Sequence, residues 1–169
     1  GAESVLASMP VGLLRTSLPD GHPLKEMAVA QAPCRAGESW DWDGVRFTML
    51  HPPADLQAKK TNAVSCVLSV NASGRRLLIT ADIETAQESA LVTRQKDGAA
   101  NALAADVLTV PHHGSLTSSS AEFIAAVGAR DAIFPVGYRN RFSHPKPDVV
   151  ARYAQSGAHL HRTDADGAV

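Results

Sequence analysis

The residues best suited to chemistry stand at the polar ends of three apolar runs. Asp82 follows LLITA, His112 and His113 follow VLTVP, and His144 comes soon after IFPVG. A divalent metal takes neutral imidazole nitrogens and carboxylate oxygens at about 2.0–2.2 Å. Strand ends hold such groups rigidly, and the loops beyond them leave room for a substrate. Each residue also has a plainer reading. Asp82 suits the N-cap of a helix starting near Ile83, where its carboxylate would accept free N–H groups. His113-Gly114 reads as a turn, and His144, between Ser143 and Pro145, as a loop brace. His22, His51, His159 and His161 lack a comparable setting and take structural or surface roles.

Hydroxyls and cations surround these positions. Ser115 and Thr117 follow the histidine pair in PHHGSLTSSS, and Arg139, Arg141 and Lys146 flank His144 in YRNRFSHPK. The cations suit local contact with a phosphate backbone, or a solvated loop. Other chemistries are excluded by what is missing. Ser115 has no G-x-S-x-G elbow around it, and the chain contains neither a G-x-x-x-x-G-K-[ST] loop nor a G-x-G-x-x-G turn.

The elements that would position these groups follow from periodicity and punctuation. Residues 2–9 read as a short helix stopped by Pro10, and VGLLRTS alternates like a strand. Residues 36–50 read as a hairpin turning at Asp43-Gly44, with Trp40, Trp42 and Phe47 packing on or near the sheet. A second hairpin runs SCVLSV–NASG–RRLLIT. After it come a helix over 84–95, a small-residue loop over 96–103, the strand ADVLTVP and the helix SSAEFIAAVG with serines to cap it. The strand DAIFPVG, the helix PDVVARYAQSG and the strand AHLHRTD complete the chain. Hairpins first and strand–helix alternation second predict a layered α+β fold, a mixed sheet with helices outside.

Composition sets the bounds. The 169 residues suffice for one domain with a proper core. A formal net charge of -1 and a pI of about 6.7 argue against a broad basic nucleic-acid face, so any such contact is local or aided by a bound cation. Cys34 and Cys66 sit in no C-x-x-C pattern and read as two small buried apolar residues, with a single disulfide left open. No run approaches the roughly 20 apolar residues of a membrane span, and the start carries no signal-peptide pattern.

Together LLITADIE, ADVLTVPHHGSLTSSS, VGYRNRFSHPKPDVV and HRTDADGAV, with TNAVSCVLSV before them, resemble the C-terminal metallo-β-lactamase-like domain of the ComEC/Rec2 family of DNA-uptake competence proteins. The resemblance runs through nearly the whole chain, and V-P-H-H-G-S is its most specific part. It implies an αββα sandwich and a two-metal phosphodiesterase site using manganese or zinc. The implied substrate is DNA, a nuclease acting on the strand that is not imported. Carried onto this chain, Asp82 would bridge the metals, with His112 the first choice of further ligand and His113 the alternative. His144 would lie beside the site, binding phosphate or giving a proton to the leaving oxygen. Ser115 and Thr117 would hydrogen-bond phosphate or a metal-bound imidazole, and Arg139, Arg141 and Lys146 would meet the DNA backbone.

The family's principal ligand cluster, H-x-H-x-D-H, does not occur in these residues. The chain is therefore read as residues 1–169 of one domain truncated on its N-terminal side, inactive alone and binding metal weakly. Ala81 stands where the family commonly has glycine, and Lys146 where a second histidine is common. The resemblance also implies a soluble domain of an inner-membrane protein, on its periplasmic or extracytoplasmic face, partnered by the rest of the channel. An apolar sheet face left without its partner predicts a homodimer of the isolated chain. Two other functions fit the same residues: a non-catalytic module that guides DNA, and a metallohydrolase of a small phosphodiester or lactone.

Overall fold

The computed structural model describes residues 2–56, 60–96 and 103–168. The small-residue loop expected over 96–103 falls largely outside the described residues, as does part of the polar segment after Pro53. In chain order the elements are α1 (Ala2–Ser8), β1 (Leu14–Thr16), β2 (Gln31–Pro33), β3 (Ser39–Trp42), β4 (Val45–His51), β5 (Val67–Ala72), β6 (Arg75–Ile79) and α2 (Thr85–Lys96). Then come β7 (Val107–Thr109), α3 (Ala121–Val127), β8 (Asp131–Phe134), α4 (Pro147–Gln155), β9 (His159–Arg162) and α5 (Thr163–Asp166).

The fold is α+β, built on a seven-stranded mixed sheet in the order β3-β4-β5-β6-β7-β8-β9. Strands β3 to β6 form antiparallel hairpins, and β6 to β9 run parallel. The first hairpin turns at Asp43-Gly44, both at positive φ, as its sequence predicts. The second turns on Ser73-Gly74 alone, because Ala72 pairs with Arg75 and extends the ladder beyond the four-residue turn expected. Trp40 stacks on Phe47 at 5.3 Å between ring centres, and Arg15 lies over its ring.

Three helices, α2, α3 and α4, connect successive parallel strands that advance in one direction across the sheet. Right-handed crossovers place all three on one face. That face is the core: Leu78, Leu108, Ala132 and Phe134 of the strands pack with Leu91, Phe123, Val127, Val149 and Tyr153 of the helices. Burying apolar area at about 25 cal/mol per Å² makes this layer the main stabilising contribution. On the other face Leu68, Val70, Leu77, Ile79, Val107 and Ile133 are only half-buried. Ser120 caps α3 through its hydroxyl, which accepts from Phe123 N, and left-handed Gly128 closes it.

Strand β2 has no counterpart in the sequence reading; it pairs in parallel with β1 to make a separate two-stranded sheet. The cysteines are also corrected. Cys34 and Cys66 form a disulfide with Cα atoms 5.8 Å apart, across a sequence separation of 32, instead of lying as separate thiols. The pairing depends on β1 and β2 folding back toward the start of β5, which spacing alone does not encode.

His51, at the end of β4, is 2% exposed, and its Nδ1–H donates to Ser65 O at 2.9 Å. Burial holds this imidazole below its ordinary 6.5; the Ser65 bond opposes the shift and the Arg94 charge adds to it. The unfolded chain therefore takes up the proton first. This contribution to stability is full above 6.5 and is lost as pH falls through the lower folded value. The urea midpoint should decline over that window, and more shallowly in His51→Asn, whose side chain cannot titrate.

Candidate metal and phosphate site

Parallel strands β6, β7 and β8 finish at one edge of the sheet, and the segments that leave them carry the candidate residues. The side-chain hydroxyl of Thr80 donates to Thr109 O at 2.6 Å, and Thr80 N donates to Thr109 Oγ1, pinning the ends of β6 and β7 together. Ala81 then takes a left-handed φ of 48°. Glycine reaches that conformation without a Cβ clash, whereas alanine is strained there. His112 N donates to Ala81 O at 3.0 Å, so the aspartate turn and the histidine turn are tied backbone to backbone.

His112, His113 and Gly114 are three consecutive left-handed residues, with φ of 49°, 57° and 78°. Two non-glycine residues in succession there cost roughly 1–2 kcal/mol each. The conformation turns the adjacent rings apart, with planes 61° from each other and centroids 6.4 Å apart.

His113 Nδ1 lies 2.6 Å from Pro135 O. A carbonyl only accepts, so Nδ1 carries the proton and Nε2 faces outward. Nε2 is 3.3 Å from Asp82 Oδ1. Two acceptors that close require a second ring proton or a shared cation between them. Two ligands at tetrahedral angles on one divalent ion, each at about 2.0–2.2 Å, stand at a similar separation. Asp82 does not cap a helix, because α2 begins only at Thr85.

His112 is held by a different set of groups. Its Nδ1 lies 3.2 Å from Thr117 Oγ1, whose hydroxyl donates to Glu84 Oε1 at 3.1 Å, and its Nε2 is 3.4 Å from Asn62 Nδ2. The chain of donors runs from Asn62 through His112 and Thr117 to Glu84. With Nδ1 on Thr117 and Nε2 facing Asn62, this chain sets both the tautomer and the orientation of the ring. Ser115 is buried, and its hydroxyl lies 3.2 Å from Thr117 Oγ1 and accepts from Thr117 N, so it shapes the loop from inside.

His144 completes the cluster, its ring 6.0 Å from His112 and 6.5 Å from His113, with Phe142 stacked against it at 5.8 Å. Desolvation, then Lys146 and the two histidines, hold its imidazole below the ordinary 6.5 against the opposing charge of Asp82. Lys146 Nζ donates to Phe142 O at 2.8 Å, while Arg139 and Arg141 lie over the rings of Tyr138 and Phe142.

The site thus gathers Asp82, His112, His113, Thr117 and His144, with the three basic residues on an adjoining loop. Two participants were not foreseen. Glu84 sits two residues beyond Asp82, a signal available in TADIE, whereas Asn62 comes from a distant segment that nothing in the sequence connects to His112. As a metal centre the donor set is partial. Among the described residues, no group of three or more His, Cys, Asp and Glu side chains is placed to hold an ion.

An α+β domain with a carboxylate and three imidazoles gathered at the carboxyl ends of its parallel strands is the class these observations define. No family model matches the chain. It is 40% identical over 134 residues to "Competence protein ComA" of Neisseria gonorrhoeae, which covers 79% of this chain and 19% of that protein. It is 30% identical over 145 residues to "ComE operon protein 3" of Bacillus subtilis, covering 86% and 18% respectively. A metallo-β-lactamase superfamily structure from Thermotoga maritima matches at a TM-score of 0.39 and 16% identity, over 77% of this chain and 60% of that one. The chain belongs to the ComEC/Rec2 family of competence proteins. It spans about a fifth of the length of the curated relatives it matches.

Proposed function

We propose that the chain is part of a metal-dependent phosphodiesterase domain of a membrane DNA-uptake protein, a nuclease for the strand that is not imported. The observation that carries this reading is the approach of His113 Nε2 and Asp82 Oδ1 to 3.3 Å, with the far nitrogen of the ring already committed to a carbonyl. That arrangement suits a cation between them. The remaining ligands would come from the H-x-H-x-D-H cluster that the family resemblance implies, which is not among these 169 residues.

Bound divalent ions, manganese or zinc, would supply Lewis acidity at the phosphate. The chain's own residues do the rest. Asp82 and His113 hold one side of the site, with His112 beside them in an orientation set by Thr117 and Glu84. His144, its ring beside those of His112 and His113, would meet the phosphate or the leaving oxygen. Arg139, Arg141 and Lys146 receive the phosphodiester backbone.

The disulfide supports an oxidising, extracytoplasmic setting, because such bonds persist there and are rare in the cytosol. None of the described helices is long and apolar enough to cross a membrane. The half-buried sheet face would pack on the rest of the parent protein, or on a second copy when the chain is isolated. A DNA-guiding module is the second reading, favoured by Arg139, Arg141 and Lys146 gathered on the loop beside the cluster.

The test is manganese-dependent cleavage of single-stranded DNA by a longer form carrying the upstream cluster, beside its Asp82→Ala variant. Cleavage by the parent and none by the variant is the expected result. Stoichiometric bound metal without cleavage would overturn the nuclease and leave the guiding module or a smaller substrate.

A further inference from the structure

Residues 138–146, YRNRFSHPK, contain Arg139, Arg141 and Lys146 and no acidic residue, in a chain whose formal net charge is -1. Their aromatic rings point outward: Tyr138 is 74% exposed and Phe142 58%. An isolated exposed ring needs no explanation, but here each carries a guanidinium over it, at 5.2 Å for Arg139 on Tyr138 and 4.8 Å for Arg141 on Phe142. The loop is also built to keep its shape. Asn140 accepts from His144 N at 2.9 Å and donates to His144 O at 2.7 Å, and Lys146 Nζ ties back to Phe142 O.

We propose that Tyr138, flanked by Arg139 and Arg141, is a stacking platform for unpaired bases of a DNA strand whose backbone runs on into the His112–His113–His144 cluster. The proposal rests on the DNA reading above and adds to it that the strand is single where it meets this loop. Every base has a π-face, so stacking on an aromatic ring is tolerant of sequence, and a guanidinium beside the ring meets the adjacent phosphate. In a duplex those faces are already stacked on neighbouring bases. The two rings divide the work. Phe142 is stacked against His144 on the site side, so it supports that imidazole, whereas Tyr138 has only Arg139 over it among the ring and cation contacts described. Exposed aromatics also serve protein partners. The three cations within this segment and its continuity with the cluster favour a polyanion.

The experiment measures binding by fluorescence anisotropy in a chelator, so that hydrolysis plays no part. The probes are an oligothymidylate of about ten nucleotides, an abasic oligonucleotide of equal length and charge, and the matching duplex. The chain should bind oligothymidylate about tenfold more tightly than the abasic strand, the effect of one good stacking contact. Tyr138→Ala should erase that difference while leaving abasic binding unchanged, and Tyr138→Phe should restore it. Duplex affinity should not respond to either variant. Equal weakening of both single strands by Tyr138→Ala, or no change in either, would overturn the platform while leaving the DNA reading intact. Failure to bind any of the three probes would overturn the platform, and the metal-dependent cleavage test would then decide the DNA reading by itself.

Discussion

Replacing Gly114 with alanine should cost about 3 kcal/mol of folding stability, a large part of the roughly 5–15 kcal/mol typical of a domain. Two causes add. Gly114 sits at φ +78°, where an L side chain is strained. A Cβ built there would lie 2.8 Å from Pro145 Cβ and 3.1 Å from the ring of Phe134. Phe134 is fully buried and cannot yield, so the segment carrying His144 and Pro145 would have to move. Lys146 N donates to Gly114 O at 2.9 Å, the bond that holds that segment against the histidine turn. Gly157→Ala is the control, since Gly157 has φ +83° and no atom within 4 Å of its added Cβ. It should show only the strain of the left-handed backbone, about 1 kcal/mol. Urea denaturation of the two variants separates strain from contact; equal losses would mean that the Gly114 approach does not matter.

Glu88→Ala should be comparably damaging, at about 3 kcal/mol, although Glu88 touches none of the candidate ligands. Its side chain is fully buried on α2. One carboxylate oxygen accepts from Ser119 N and the other from Ser120 N, the latter at 2.8 Å. Removing it leaves the N–H groups of buried Ser119 and of Ser120, the N-cap of α3, without that acceptor. Glu88→Gln should lose less but still measurably, because an amide presents one acceptor and one donor to two donors. The network continues to Arg152, which donates to Ser118 O at 3.2 Å, and to Tyr153, whose hydroxyl donates to Ser119 Oγ at 3.3 Å. This loop also carries Thr117, so a longer, active form bearing Glu88→Ala should lose activity through a displaced His112. A Glu88→Ala variant with an unshifted melting temperature would refute the argument.

Legibility in the sequence followed physical locality. Alternation exposed the two hairpins, and the apolar runs before Asp82 and His112 exposed the parallel strands. Ser120 and Gly128 bounded α3 because caps are short-range chemistry. Strand β2 was not readable: QAP offers no alternation and ends in proline, and its pairing with β1 is a tertiary event. The gathering of Asp82 with the histidines was legible as strand-end placement, but the pairing within it was not. His112 was the first choice of metal ligand and His113 the alternative; the nitrogen beside the Asp82 carboxylate is that of His113. Left-handed backbone at both residues decides which ring faces which way, and no residue type announces that in advance. Asn62 was invisible for the same reason the disulfide was: its partner is settled by the folded path of the chain.

The bond between Cys34 and Cys66 alters how the molecule would bear a pull. Between those residues lie β3 and β4, one end of the large sheet. Load applied to the chain before Cys34 passes through sulfur directly to the residue preceding β5. The intervening hairpin is then out of the line of force, joined to the sheet through the ladder between β4 and β5. Traction from that side is delivered to the middle of the sheet, and β3 and β4 are sheltered from it until the bond is reduced.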